Sequence, residues 1–204
     1  MRDLLPESCL LRDHMTEVIV NAYRSFGFNR IETPILEDLK RLIGGGGGEN
    51  EKLIYKVMKR GEKLKLDQVG ITEDDIADLG MRFDLTVPLV RFYSNNFAKL
   101  ANPFKAIQIG SVFRAERAQK GRFRQFTQCD IDTIGVSSEL AESELILATC
   151  AALGGLGFRG FSVRINDRRL LLAIAKHSGF SEDQYDTVFI SLDKLDKVGL
   201  SVVS

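Results

Sequence analysis

The stretch VFRAERAQKGRFRQFTQCDID, residues 112–132, reads as two strands joined by a break at Gln119, Lys120 and Gly121. Side chains two apart on a strand share a face. Arg114 and Glu116 therefore point one way, and Phe113 and Ala115 the other. On the return strand Arg122, Arg124, Phe126, Gln128, Asp130 and Asp132 share a face, while Phe123, Gln125, Thr127, Cys129 and Ile131 share the opposite one. One sheet surface thus runs from guanidinium groups through an amide to carboxylates. That order suits a pocket holding a polyphosphate at one end and a cationic or hydrogen-bonding group at the other, because arginine grips phosphate with a planar fork. It also suits cross-strand ion pairs on a wet face, which are common and weak and are the blander explanation of most charge patterns.

Working outward, "LLRDHMTEVIVNAYRSFGF" (residues 10–28) places Leu11, Met15, Val18, Ile19, Ala22 and Phe26 at helical spacing, with Gly27 as the stop. "NRIETPILED" (residues 29–38) reads as extended, since Pro34 keeps Thr33 out of the helical region. The glycine run at 44–50 is followed by no Lys-Ser/Thr pair, so it reads as a surface loop rather than a phosphate-binding loop. "KLIYKVM" and "KLKLD" read as strands around Arg60 and Gly61. "QVGITEDDIADLG" (residues 68–80) reads as an irregular connection. "MRFDLTVPLVRFYSNN" (residues 81–96) passes from strand to helix, with Pro88 in the first helical turn. A helix follows Ser138, an alternating strand spans "GFSVRIND" (residues 160–167), and Asp167 or Asn166 caps the helix "RRLLLAIAKHSGF". Hairpins and irregular loops outnumber crossover helices, which predicts an α+β fold with an antiparallel sheet flanked by helices.

The composition narrows the function. A chain of 204 residues can bury a sizeable core, and its zero formal net charge gives no global field for nucleic acid. Cys9, Cys129 and Cys150 are odd in number and widely spaced, and His14 and His177 stand apart, so neither a disulfide framework nor a metal site is expected. A reducing cytoplasm is the default, and no apolar run reaches the length of a membrane span.

The order of residue types in FRAERAQKGRFRQFTQCDID resembles motif 2 of the class II aminoacyl-tRNA synthetases, most closely that of the histidyl-tRNA synthetase family. "MRFDLTVPLVRF" resembles the same family's upstream Asp-Leu-Thr segment. "NAYRSFGFNRIETPILED" (residues 21–38) resembles motif 1, with Pro34 as its proline. Motif 2 spans about 107–134.

The resemblance implies a class II synthetase-like sheet and specific roles. Arg114 would grip the α-phosphate of ATP, Glu116 would meet the adenine amino group, and Arg122 would help hold the outer phosphates. Asp84 and Thr86 would receive the amino group of histidine, Gln128 would lie beside it, and Asp132 would accept from the imidazole. It also implies Mg2+ with the ATP, tRNA(His) as partner, a motif 1 homodimer and a cytoplasmic ligase. Blander roles remain open for each residue: Asp84 and Thr86 as a helix cap, Asp132 as an arginine's partner, Gln128 as a satisfier of backbone. A regulatory subunit of ATP phosphoribosyltransferase, related in sequence but not catalytic, is the alternative function.

Two departures from the family pattern carry expectations. Ala118 stands where proline is usual, which should loosen the loop without abolishing the site. The sequence stops at Ser204, ahead of the family's second histidine-binding segment, motif 3 and anticodon-binding domain. Residues 1–204 are therefore expected to be an incomplete catalytic domain, inactive on its own.

Overall fold

The computed structural model describes residues 1–44, 51–64, 70–117 and 119–198. Most of the glycine run, the end of "KLKLD" and Ala118 lie outside the described residues. The chain divides into two compact units, Met1–Arg159 and Gly160–Ser204.

The first unit opens with α1 (Pro6–Ser25), whose Pro6 occupies a position where its missing N–H is harmless. Gly27 ends it at φ +83°, and Phe28 N then donates to Tyr23 O, a left-handed glycine stop. The chain continues through β1 (Asn29–Ile31), β2 (Leu36–Asp38) and the short α2 (Leu39–Ile43), capped by the Asp38 side chain. After β3 (Tyr55–Met58) come α3 (Glu73–Ile76) and β4 (Ala77–Met81). Next are α4 (Thr86–Asn96), β5 (Phe104–Phe113), β6 (Gln125–Ile134) and α5 (Leu140–Gly155).

The strands form two sheets. In the larger, β5 pairs antiparallel with β6 from Phe104↔Ile134 to Phe113↔Gln125. This is the hairpin expected from the sequence, and Gly121 turns it at φ +80° beside a Gln119↔Arg122 bridge. β1 joins β5 on its other edge in parallel. The smaller sheet has the order β2-β4-β3, antiparallel throughout.

Alternation along β5 sorts its side chains between two layers. Ile107 packs with Tyr23 and Phe28 and with Ala148 and Ala152 of α5. Phe104 and Ala106 point the other way and pack with Leu89 of α4. A third cluster, Leu39, Leu42, Ile54, Ala77 and Phe83, fills the smaller sheet. The hairpin therefore sits between α1 and α5 on one face and α4 on the other.

Three expectations need correction. β3 pairs with β4, and residues 65–67 of the second expected strand lie outside the described residues. Gly61–Lys63 form a 3-10 turn instead, so no tight hairpin closes at Arg60 and Gly61. The supposed irregular stretch before residue 81 contains α3 and β4. Thr72 and Asp75 make a reciprocal capping box there, a signal that a polar composition masks.

The third correction lies in the second unit. The strand expected over 160–167 does not form. The segment has no ladder partner among the described residues, and Phe161, Val163 and Ile165 are exposed. Alternation marks strand potential, but a ladder needs a second strand. The described residues of this unit also form α6 (Arg168–His177), capped as expected by Asp167, and α7 (Tyr185–Val198).

Candidate functional site

The face of β5 and β6 turned toward α4 carries the residues singled out above. Register places Gln128 opposite Gly110, Asp130 opposite Gln108 and Asp132 opposite Ala106. The loop between β4 and α4 brings Asp84 to the same surface, since Asp84 acts electrostatically on both Asp130 and Asp132.

At one end, Arg114 follows β5 directly. Its Nε donates to Phe83 O at 3.1 Å, and its guanidinium lies 5.1 Å from the centre of the Phe126 ring. A hydrogen bond and a cation–π contact thus aim the group before any ligand arrives. Glu116 and Arg122 lie further out on the loop and pair with each other at 3.0 Å. Arg122 is 65% exposed, so this pair is of the wet cross-strand kind and contributes little to stability.

At the other end are carboxylates. Asp84 Oδ1 accepts from Thr86 N at 3.2 Å and Val87 N at 3.5 Å, so Asp84 does cap α4. Capping fixes its position and is compatible with ligand contact. Gln128 Nε2 donates to Asp130 Oδ2 at 2.8 Å. Gln128 Oε1 is buried and has no partner among the described residues. Burial pushes the Asp130 carboxyl above its ordinary value; the Gln128 hydrogen bond opposes this, Asp84 adds to it and Arg114 opposes it. Burial likewise raises Asp132, with Asp130 and Asp84 adding repulsion. Half-buried carboxylates that repel one another are costly when ionised, and an incoming cationic N–H donor would relieve the cost.

The cost predicts a stability test. A carboxyl raised in the folded state binds protons better folded than unfolded, so its ionisation lowers stability as pH rises above the ordinary carboxylate range. Asp132→Asn is expected to raise the melting temperature at pH 7.5. The gain should vanish below the ordinary carboxylate range, at about pH 3, where the carboxyl is protonated in the folded and the unfolded protein alike. Thermal melts of both proteins at the two pH values check this, and a lower melting temperature for the variant at pH 7.5 would contradict it.

A buried network supports the site from below. Arg82 is 6% exposed. Its Nε donates to Ser111 O at 2.9 Å, and its Nη1 donates to Thr33 O at 2.7 Å, Thr33 Oγ1 at 3.1 Å and Pro34 O at 3.3 Å. Gln108 donates to Leu85 O at 2.9 Å and accepts from Thr33 Oγ1 at 3.4 Å. These bonds fix the loop that bears Asp84 against both the 33–34 segment and β5. Gly110 makes room for this, because a Cβ there would overlap the Arg82 guanidinium.

The structure therefore gathers Arg114, Asp84, Gln128 and Asp132 on one sheet surface, and Thr86 opens α4 beside it. It sets Glu116 and Arg122 on the outer loop, engaged with each other. Sequence reading assigned no role to Asp130 or Arg82. Asp130 was accessible from its period-two spacing between Gln128 and Asp132, whereas nothing in the local pattern marks Arg82 as buried. Among the described residues no group of three or more His, Cys, Asp or Glu could hold a metal ion. No helix among them is long and apolar enough to cross a membrane.

The family model described as histidyl-tRNA synthetase matches residues 1–203. The chain is 50% identical over 202 residues to a histidine–tRNA ligase of Leifsonia xyli subsp. xyli, covering 98% of this chain and 47% of that protein. It is 51% identical over 203 residues to a probable histidine–tRNA ligase of Tropheryma whipplei (strain Twist), covering all of this chain and 47% of that protein. The crystal structure of histidyl-tRNA synthetase from Nostoc sp. PCC 7120 superposes with a TM-score of 0.77 at 29% identity, over 100% of this chain and 45% of that one. A Bacillus halodurans structure described as an ATP phosphoribosyltransferase regulatory subunit/histidyl-tRNA synthetase shares the fold, with a TM-score of 0.79 at 23% identity over 98% of this chain and 48% of that one. The chain spans about half the length of the curated relatives it matches. With all but its last residue matched and half its residues shared with those relatives, the chain belongs to the histidyl-tRNA synthetase family.

Proposed function

We propose that this chain is the part of a histidine–tRNA ligase that binds ATP and histidine and forms histidyl-adenylate, which then charges tRNA(His). The observation that carries the reading is the polarity of one sheet surface, with Arg114 aimed at one end and Asp84, Gln128 and Asp132 gathered at the other. In this reading Asp84 and Thr86 take the ammonium group of histidine beside Gln128, and Asp132 accepts from the imidazole. The substrate carboxylate then attacks the α-phosphate. A carboxyl O–P bond forms, the bond to the β-phosphate oxygen breaks, and pyrophosphate leaves with the electron pair. Arg114 stabilises the charge that develops on the α-phosphate, and because it is held in advance, little reorganisation is needed. Glu116 and Arg122 would exchange their mutual pairing for adenine and the outer phosphates.

Mg2+ would supply further charge neutralisation on the nucleotide. The phosphate oxygens would be among its ligands. Exposed Ile35 and Leu36 in the motif 1 segment support a homodimer through that segment. Cys9, Cys129 and Cys150 are all unpaired, and burial pushes the Cys129 thiol up to about 11, which suits a reducing cytoplasm.

The test is histidine-dependent exchange of labelled pyrophosphate into ATP, run on the protein at the length of its relatives. Exchange with histidine and not with other amino acids is expected. Histidine binding without exchange would replace the ligase reading with that of a histidine-sensing regulatory subunit.

A further inference from the structure

We infer that Asp130 is a positioning residue for substrate binding: its carboxylate holds the Gln128 amide so that Oε1 faces the amino-acid pocket as an acceptor for the substrate's ammonium group. The inference rests on the reading of this pocket as the histidine site.

An amide can present either end to a neighbour, so something must choose. An ionised carboxylate only accepts hydrogen bonds. Asp130 Oδ2 lies 2.8 Å from Gln128 Nε2, so the NH2 end is committed to it and the oxygen is turned away. That oxygen is buried without a partner among the described residues. A buried acceptor left unpaired is unfavourable, and one kept in a ligand pocket is satisfied when a donor binds. Gln108, opposite Asp130 across the hairpin, does not compete for the amide, because its own side chain is engaged with Leu85 O and Thr33 Oγ1.

The arrangement is sensitive to the charge on Asp130. Once protonated, or replaced by an amide, residue 130 can donate. Gln128 can then turn Oε1 onto it, and the pocket loses its acceptor. The ionisable groups around Asp130 are Asp84 from the loop before α4, Asp132 on its own strand and Arg114 at the end of β5. Cys129 and Tyr23 of α1 lie on the other side of the sheet. Since Asp84 and Asp132 are carboxyl groups acting on the same site, a pH profile alone cannot isolate Asp130, and substitutions carry the test.

The assay is histidine-dependent pyrophosphate exchange by the protein at the length of its relatives, with 3-(imidazol-4-yl)propanoate, which lacks the amino group, as competitive inhibitor. Asp130→Asn is expected to raise the KM for histidine about tenfold, with the KM for ATP and kcat within about threefold of wild type. The inhibition constant of the amino-less analogue should stay within about twofold, because it offers no ammonium to Gln128. Asp130→Glu, an acceptor only, should recover most of the histidine affinity. In a Gln128→Ala background, Asp130→Asn should add less than about a twofold change, since its partner is already gone.

Three results would overturn the inference while leaving the histidine reading intact. They are a histidine KM unchanged by Asp130→Asn, an equal loss for the amino-less analogue, or full additivity with Gln128→Ala. Absence of histidine-dependent exchange in the wild-type protein would overturn the parent reading and this inference together.

Discussion

Replacing Arg114 with alanine is expected to weaken ATP binding by about 10- to 100-fold, the loss of roughly 1.5–3 kcal/mol for a charge-assisted contact. The size follows from how the side chain is held. Nε is bonded to Phe83 O and the guanidinium lies over Phe126, so the remaining N–H edge is aimed without further loss of side-chain freedom. Lysine should not rescue the site. A single ammonium lacks the planar fork and cannot keep the Phe83 bond and the stacking while gripping a phosphate. Arg122→Ala should cost much less, under about 1 kcal/mol, because Arg122 is largely exposed and already shares its charge with Glu116. Calorimetric titration with ATP separates the three variants. Unchanged affinity in Arg114→Ala would remove this residue from the nucleotide site.

This ordering, with Arg114 well ahead of Arg122, was not available from the motif. Both arginines stand at matching positions in FRAERAQKGRFRQF, and only the structure shows one held and the other in solvent. What the sequence did convey was local chemistry. Gly27 and Gly121 sit where the backbone takes positive φ, and Ser138 and Asp167 accept from the N–H groups of Leu140 and Arg169 at helix starts. Each is a short-range signal that needs no knowledge of partners. The misses share the opposite property. The segment 160–167 alternates like a strand yet has no ladder partner among the described residues, and β3 pairs with β4, a strand that the polar stretch before residue 81 did not announce. Pairing is a non-local choice, and a single strand's pattern does not specify it.

Arg82 shows the same limit for a side chain, and its replacement should produce the largest loss of stability. Arg82→Met is expected to lower the free energy of unfolding by about 3–4 kcal/mol, since it removes a buried charged donor from one buried and two part-buried carbonyl acceptors. The acceptors are Ser111 O, Thr33 O and Pro34 O, drawn from β5 and from the segment between β1 and β2. The backbone of Arg82 ties the same pieces, donating to Ile35 O and accepting from Phe113 N, both at 2.9 Å. Those backbone bonds survive the substitution, which is why the loss should stop short of complete unfolding. For a chain of this size it corresponds to a fall of roughly 6–16 °C in melting temperature. Gly110→Ala attacks the same contact from the other side, because its Cβ would occupy the guanidinium's place, and it should destabilise in the same direction. The loss should also reach the ligand site. Asp84 lies two residues beyond Arg82, on a loop whose Phe83 O and Leu85 O are bonded to Arg114 and Gln108. Urea unfolding measures the stability term, and histidine affinity, measured where the variant is still folded, measures the second. A stability loss below about 1 kcal/mol in Arg82→Met would mean that the network is not what holds the Asp84 loop, because ordinary surface substitutions already reach half that size.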